Sequence, residues 1–261
     1  LSGVVSKAAA FGMLVVVLPA YPHLLSGGWG DGIIWVSILS LLYGSITAFR
    51  QPDVRGVIAY SSMAQMGLIA LGFATYLGAG GEQGVSGAYM QSINHGIISA
   101  ALFLIAGMIE LRTGTGILAR LGGLAGGRPV LATVALVVTM CALAVPGSNA
   151  FAGELMILLG TFRAAWEHAW IWAAIASLAI VLAAMYALRL LSAMNHAPEE
   201  NTLAAAEQSR SSFGLDLRLP ELSFLMPLVA VLVVLSVWPN AIRREMNERP
   251  VQLPIVKDVR K

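Results

Sequence analysis

Residues 83–109 read QGVSGAYMQSINHGIISAALFLIAGMI, a run of 27 residues without Asp, Glu, Lys or Arg. A helix that crosses a lipid bilayer needs about 20 predominantly apolar residues. Six further charge-free runs lie at 8–30, 32–49, 56–81, 129–153, 169–188 and 222–242. Because backbone groups in lipid must be satisfied within their own segment, these runs are predicted to be helices. The pattern predicts an all-α, polytopic membrane helix bundle.

The composition supports this class and excludes others. Apolar residues make up 57% of the chain and charged residues 11%, against roughly 25% charged in soluble domains. These proportions exclude a soluble enzyme, a nucleic-acid binder and a secreted disulfide-rich domain. The net charge of +2 and the single Cys141 leave no basic surface for nucleic acid and no cysteine framework. The chain does not begin with Met, and Lys7 interrupts its first apolar stretch, so we expect a piece of a longer protein.

Seven helices are predicted, and one of them is interrupted. They cover roughly 2–20, 31–49, 56–78, 84–109, 129–163, 169–194 and 220–238. Pro146 and Gly147 are predicted to break the fifth helix within the membrane. The polar connection 195–218 is expected to lie along the membrane surface. We expect residues 1–240 to form one membrane domain, followed by a polar tail at 241–261.

Arginines in the loops predict the orientation. Seven crossings place eight of them on one side and Arg163 alone on the other. Because basic loops stay in the cytoplasm, the side with eight is predicted to be cytoplasmic. The tail after Pro239 carries six further basic residues and opposes this prediction, but a terminal segment counts for less than the loops.

Ionisable residues at membrane depth are costly and indicate function. After ends and loops are removed, three remain, namely Lys7, His95 and Glu154. Lys7 lies among small residues that leave room for water, and a lysine in apolar surroundings can exchange protons near neutral pH. The alternative is a lysine near a helix end whose amine reaches the membrane surface.

His95 belongs to a polar stripe. Gln91, His95 and Ser99 recur at every fourth residue and therefore lie on one face of an otherwise apolar helix. This face must meet protein or water. Imidazole both accepts and donates near pH 7, which suits a proton relay. The alternative is a histidine merely hydrogen-bonded to a neighbouring helix.

Glu154 follows the predicted break at Pro146 and Gly147. Broken helices at membrane depth mark ion sites in transporters, because the freed backbone must face protein or a cavity. The helix N-terminus favours the carboxylate while burial opposes it, so Glu154 is predicted to exchange a proton. The alternative is that Glu154 is a structural charge at the start of a helix.

Ser61 and Gln65, one turn apart, are favoured as packing residues, although they could extend a water chain. The scattered histidines predict no metal site, and no cofactor fingerprint is present.

An ordered set of motifs resembles the antiporter-like proton-pumping subunits of respiratory complex I (NADH-quinone oxidoreductase), in particular the subunit M, or chain 4, type. The matching stretches are VSKAAAFG at 5–12, RQPDVR at 50–55, VIAYSSM at 57–63, NHGI at 94–97, ALF at 101–103, PGS at 146–148 and FAGELMIL at 151–158. The resemblance extends from about residue 2 to 240. It implies helices eight to fourteen of a fourteen-helix fold, which is the C-terminal part with the second inverted repeat.

The resemblance also implies roles for the three ionisable residues at membrane depth. Lys7 matches the connecting lysine, His95 the relay histidine and Glu154 the acidic residue of the broken twelfth helix, where the L, N and Mrp types usually carry lysine. It implies proton translocation coupled to NADH oxidation and quinone reduction, through a half-channel that opens to the periplasm. NADH, FMN, iron–sulfur clusters and quinone would belong to other subunits, so we expect no cofactor in this chain. Expected partners are L-type and N-type membrane-arm subunits and the lipid of a bacterial inner membrane.

Departures from the family pattern leave two alternatives open. Arg55 stands where lysine is usual, Gln65 replaces a histidine of some relatives, and the family's glutamate of helix five and lysine of helix seven would lie upstream. One alternative is an Mrp-type cation/proton antiporter subunit without a redox partner. The other is a structural half-subunit that acts as a scaffold.

Overall fold

The computed structural model describes residues 2–21, 28–77, 81–124, 128–164, 166–196 and 216–238. Within these ranges the regular structure is helical, and the pairing of extended backbone is limited to an isolated bridge between Asp53 and Ile117. The predicted all-α membrane bundle is confirmed. The polar connection after His196 and the tail after Trp238 fall largely or wholly outside the described residues, so the predictions about them stay predictions.

Eight helical segments form the bundle in the part of the chain that the structure describes. They are α1 (Val5–Ala20), α2 (Gly28–Arg50), α3 (Val54–Ala74), α4 (Gly81–Thr113), α5 (Pro129–Ala142), α6 (Asn149–Phe162), α7 (Ala169–Asn195) and α8 (Leu219–Val237). Five of them, α2, α3, α4, α7 and α8, are long and apolar enough to cross a membrane. The shorter α1 contains a π-helical turn at Met13–Val17.

The predicted fifth helix is two half-helices, α5 and α6. Between them Ala144 and Gly147 adopt positive φ angles of 52° and 101°. Gly147 tolerates this conformation because it has no Cβ atom, and Pro146 cannot continue a helix. The Ser148 hydroxyl then accepts a hydrogen bond from the Phe151 N–H and starts α6. The interruption predicted at Pro146–Gly147 is confirmed.

The ends of α4 differ from the prediction. The charge-free run suggested a helix over 84–109, whereas α4 extends from Gly81 to Thr113. Its last turn includes Glu110, which binds Arg55 through two hydrogen bonds of 2.7 and 2.6 Å, and Arg112, which forms a salt bridge with Glu221. Paired charges at the edge of the bundle are tolerated in a helix, so the first charge did not end it.

Glycines let neighbouring helices approach closely. A Cβ atom at Gly44 of α2 would lie 2.6 Å from the backbone N of Ala64 in α3. One at Gly87 of α4 would lie 2.8 Å from the carbonyl O of Gly153 in α6. The second contact presses α6 against the polar face of α4. It therefore sets the distance between the side chains that form the site below.

Candidate functional site

Lys7 and His95 are in direct contact between α1 and α4. The Lys7 amine lies 2.5 Å from His95 Nδ1 and donates to the Ser2 carbonyl at 2.8 Å and the Ser6 hydroxyl at 3.2 Å. His95 is 5% exposed and Lys7 is partly buried. A charged lysine that donates to Nδ1 requires the imidazole to carry its proton on Nε2. The pair is thus in direct hydrogen-bonding contact inside the bundle.

A second polar group joins three helices around Gln65, Gln91 and Glu154. The Gln65 amide donates to Glu154 Oε1 over 2.9 Å, and Gln91 donates to Gln65 Oε1 over 2.9 Å and to Glu154 Oε1 over 3.4 Å. All three side chains are at most 7% exposed. The Glu154 carboxyl is therefore buried and hydrogen-bonded by neutral amides, with no ion-pair partner among the described residues.

Serine hydroxyls lie beside the Lys7–His95 pair. Ser2 donates to Ser62 over 2.7 Å, Ser99 donates to Ser2 over 2.8 Å, and Ser62 and Ser99 are 3.4 Å apart. Hydroxyls both donate and accept, so the cluster continues the polar path from α1 to α3 and α4.

A cavity of about 30 Å³ lies between the two groups, enough for a water molecule. Its polar lining comes from α3, α4, α5 and α7, namely Ser61, Ser62, Gln65, Gln91, His95, Ser99, Thr139 and Tyr186. The three residues of the predicted stripe thus face the same space. Within the described residues no direct hydrogen bond joins His95 to the Gln65–Gln91–Glu154 group, although His95, Gln65 and Gln91 line the same cavity.

The structure places seven of the predicted residues at or beside this region, namely Lys7, Ser61, Gln65, Gln91, His95, Ser99 and Glu154, whereas Pro146 and Gly147 are exposed at the helix break. Ser61 and Gln65, favoured as packing residues, line the cavity, and Gln65 contacts Glu154 directly. Sequence reasoning missed Tyr186, which is 6% exposed, because its hydroxyl is an isolated polar group in an apolar stretch of α7. It also missed a hydrogen bond in which the Asn149 amide donates to Asn94 Oδ1, tying the start of α6 to α4. The sequence did offer a signal for this contact, since Asn149 is a polar residue at the start of the second half-helix.

Buried arginines secure the opposite end of α4. Arg112 donates to the carbonyl groups of Met108 at 3.0 Å and Asp216 at 3.1 Å, besides its salt bridge to Glu221. Burial alone would raise the pKa of Asp216, but N–H donors from Val130, Leu131 and Leu217 and the charge of Arg112 hold it below its usual value. This region ties α4, α5 and α8 together.

The same end of the bundle collects most of the described arginines. Arg189 of α7 donates to the carbonyl groups of Phe49 at 2.6 Å and Gln51 at 2.9 Å, which caps the C-terminus of α2. Arg128 donates to the Arg112 carbonyl. We call this end, where α2, α4 and α7 finish and α3, α5 and α8 begin, the arginine-rich end. It is the end that the sequence predicts to be cytoplasmic.

No group of three or more His, Cys, Asp or Glu side chains suited to a metal ion occurs among the described residues. The described site consists of one amine, one imidazole, one carboxyl and several hydroxyls and amides, all of which can form hydrogen bonds.

Comparison with known proteins identifies the family. A family model described as NADH:quinone oxidoreductase/Mrp antiporter, TM, matches residues 1–183. The chain belongs to this family. The resemblance seen in the motifs is confirmed, and the chain is a multi-pass membrane protein of this type.

Its relatives include subunits named NADH-quinone oxidoreductase subunit M. The one from Rickettsia typhi is 32% identical over 242 residues, which cover 93% of this chain and 46% of the relative. The one from Pseudomonas aeruginosa is 30% identical over 93% of this chain and 44% of the relative. The chain thus spans a little under half the length of these relatives.

Solved structures agree on the fold. Respiratory complex I from Thermus thermophilus with bound NADH contains a chain that matches with a TM-score of 0.75 and 28% identity, covering 93% of this chain and 48% of that one. The Mrp complex from Dietzia matches with a TM-score of 0.78 at 20% identity, over 98% of this chain and 54% of that one. At 20% identity the second match supports the fold alone.

Proposed function

We propose that this chain is the C-terminal half of a proton-translocating, subunit-M-type subunit in the membrane arm of an NADH-quinone oxidoreductase. The observation that carries the proposal is the pair of polar groups, Lys7–His95 and Gln65–Gln91–Glu154, on either side of one buried cavity. Buried ionisable groups in a membrane protein are costly, and a proton path accounts for this cost.

The first transfer joins Lys7 and His95. Their 2.5 Å contact leads from α1 into the bundle interior without crossing lipid. When Lys7 gives its proton to Nδ1, the imidazole can release the Nε2 proton on its other side. The ring then returns to neutrality with its tautomer exchanged and must rotate or be reprotonated before the next transfer.

The second transfer crosses the cavity. A water molecule held by the polar lining would accept the proton released by His95 and deliver it to Glu154. Gln65 and Gln91 cannot titrate, so their role is to orient one oxygen of Glu154 through hydrogen bonds of 2.9 and 3.4 Å. Positioned donors and acceptors of this kind shorten the path that the proton must travel in the open cavity.

The last transfer leaves Glu154. The residue lies in the second turn of α6, which begins at the helix break, and we propose a half-channel from there to the periplasmic side. A break of this kind frees backbone groups and admits water where an uninterrupted helix would not. Each charge also acts on the next site, since two charges about 7 Å apart at an effective dielectric of 20 interact by roughly 2 kcal/mol.

The other subunits of the complex would supply the cofactors and the redox chemistry. In this proposal NADH, FMN, the iron–sulfur clusters and quinone bind to other subunits, and L-type and N-type subunits flank this one in a bacterial inner membrane. The support is the identity of 30–33% to relatives named subunit M. Glu154 in place of the lysine expected in the L, N and Mrp types agrees with it.

Replacing one carboxyl tests the proposal. Glu154→Gln keeps the side-chain size and an oxygen that accepts from Gln65 but cannot carry a proton. In sealed vesicles that contain the assembled complex, we expect the number of protons pumped per NADH to fall while NADH oxidation continues. Glu82→Gln, at an exposed position near the start of α4, is the matched control and leaves the ratio unchanged. An unaltered ratio in Glu154→Gln contradicts the proposed role.

The same vesicles separate the proposal from an Mrp-type antiporter. Sodium flux driven by a pH gradient in the absence of NADH would favour an antiporter, since no redox step is then needed. Proton pumping that depends on NADH, without such flux, favours the membrane arm of an oxidoreductase.

A further inference from the structure

Two arginines at the arginine-rich end have guanidinium N–H groups that the fold leaves without partners. Arg50 ends α2 and is exposed, and its side chain has no hydrogen bond or ion pair among the described residues. Arg189 of α7 uses only Nη1 for the carbonyl groups of Phe49 and Gln51, so its Nε and Nη2 have no hydrogen-bond partner in the described part of the chain. The proposed relay gives neither arginine a role.

The two arginines lie side by side. Because Phe49 and Gln51 flank Arg50 in the chain, the guanidinium of Arg189 sits next to the backbone of Arg50. It also lies over the Phe49 ring, 5.7 Å from the ring centre. The salt bridges of the described residues involve neither arginine. Within that part of the chain, two positive charges therefore meet at this surface without a carboxylate to balance them.

An apolar surface adjoins the two arginines. Helices α2 and α7 pack against each other and both run toward the arginine-rich end. Farther from that end, the Trp35 and Trp172 rings meet edge to face at 4.7 Å. Between this contact and the arginines, both helices carry exposed apolar side chains, which we call the α2–α7 seam. They are Leu39, Tyr43 and Ile46 on α2 and Leu178, Val181, Met185 and Leu188 on α7.

The length of the seam matches one leaflet of a bilayer. Leu39 lies eleven residues before Arg50, and Leu178 lies eleven residues before Arg189. At 1.5 Å per residue each row is about 16 Å long. Half of a hydrocarbon core of about 30 Å is about 15 Å. Each row is therefore as long as a leaflet is deep, and each ends at an arginine at the level of the lipid headgroups.

We propose that the α2–α7 seam binds an anionic phospholipid, whose phosphate is held by Arg50 and Arg189 and whose acyl chain lies along the exposed apolar row. Guanidinium groups present paired N–H donors that match phosphate oxygens. Basic side chains at the membrane surface of a helix bundle recognise anionic headgroups. The apolar row favours a lipid over a soluble phosphate, because only the lipid has a chain to cover it. This site is separate from the buried relay and does not depend on proton transfer.

Photo-crosslinking with two lipids tests the proposal. The probes are phosphatidylglycerol and phosphatidylcholine with the same photoreactive acyl chain, each added in trace amounts to vesicles that hold the full-length protein with the subunits it assembles with. Mass spectrometry measures the labelling of peptides from 39–50 and 178–189. One basic side chain near an anionic lipid contributes about a factor of five. We therefore expect a preference for phosphatidylglycerol of roughly 25-fold in the native protein and roughly fivefold in Arg50→Gln.

Two further variants separate binding from folding. Arg163→Gln removes the same charge at an exposed position on the opposite end and should leave the preference unchanged. Arg189→Gln also removes the cap of α2 and so weakens the fold, whereas Arg50 has no such contact to lose. A lower preference in Arg50→Gln at an unchanged unfolding temperature is therefore an effect on lipid binding.

Four results would overturn the proposal. Equal labelling by both probes in the native protein would mean that the seam meets only bulk lipid, and no labelling by either would mean that another protein covers it. A preference that Arg50→Gln leaves intact would remove the arginine from the site. Loss of the preference on adding excess inorganic phosphate, at an ionic strength matched with sodium chloride, would assign the arginines to a soluble anion. None of these results depends on whether Glu154 transfers protons.

Discussion

A methyl group at Gly87 should separate the two helices that form the carboxyl site. A Cβ atom there would lie 2.8 Å from both the Gly153 carbonyl O and the Ile157 N. Both atoms are backbone, so no side-chain rotation relieves the contact. To reach the 3.4 Å at which ordinary contact begins, α4 and α6 must move apart by about 0.6 Å. Gly87→Ala therefore acts directly on the spacing between Gln91 and Glu154.

The expected magnitude follows from two opposing terms. Alanine is favoured over glycine in a helix by about 1 kcal/mol, whereas overpacking a close interface costs about 1–3 kcal/mol. The net loss in free energy of unfolding is thus about 0–2 kcal/mol. Functionally, the Gln91–Glu154 contact, already 3.4 Å, is carried beyond hydrogen-bonding distance. Gly12→Ala is the matched control, since no heavy atom outside its own helical turn and chain neighbours lies within 4 Å of its Cβ position.

Thermal unfolding in detergent and NADH-driven acidification in vesicles measure the two effects. We expect Gly87→Ala to lower both the unfolding temperature and the protons pumped per NADH, and Gly12→Ala to raise stability by up to about 1 kcal/mol without changing pumping. If the two variants behave alike in both assays, the close approach of α4 and α6 does not set the geometry of the site.

The arginine-rich end yields two further predictions. Arg112→Met should destabilise the protein by about 3 kcal/mol, the lower end of the cost of breaking a buried ion pair, because the Glu221 side chain is 19% exposed. Chemical denaturation measures this loss, and a value below about 0.5 kcal/mol would refute the prediction. The pKa of Asp216 is lower in the folded protein than in the unfolded chain, where it is about 3.9. The ionised carboxylate therefore stabilises the folded protein at pH values above about 3.9. This stabilisation is lost as the pH falls through the pKa of the folded protein. Asp216→Asn should therefore lower the unfolding temperature at pH 7 and approach the native protein's value in acid, and a difference that does not depend on pH contradicts this.

Much of the fold could be predicted from the chain because the lipid restricts the choices. Charge-free runs fixed the number and type of helices, and Pro146 with Gly147 indicated the break. The spacing of Gln91, His95 and Ser99 placed them on one face, and the structure directs that face to the cavity. These are local properties, which depend on helix periodicity and backbone conformation alone.

Contacts between distant helices could not be predicted in the same way. Gln65 and Glu154 are 89 residues apart, and which face of α3 meets α6 depends on close approaches such as that of Gly72 to Ile157. Tyr186 lies in a helix whose other residues are mostly apolar, so no repeating polar stripe like that of Gln91, His95 and Ser99 indicated its position. Helix ends were misjudged for a related reason, since the pairing of Arg112 with Glu221 is a tertiary contact that makes a charge tolerable at the edge of the bundle.

Infrared difference spectroscopy of the assembled complex tests the proton path most directly. If the buried carboxyl takes up and releases a proton during turnover, adding NADH should change the carboxyl stretching region in the native protein. That change should be missing from Glu154→Gln and present in Glu82→Gln. Identical difference spectra for the native protein and Glu154→Gln would mean that no proton passes through this carboxyl, and the relay from Lys7 would have no end point.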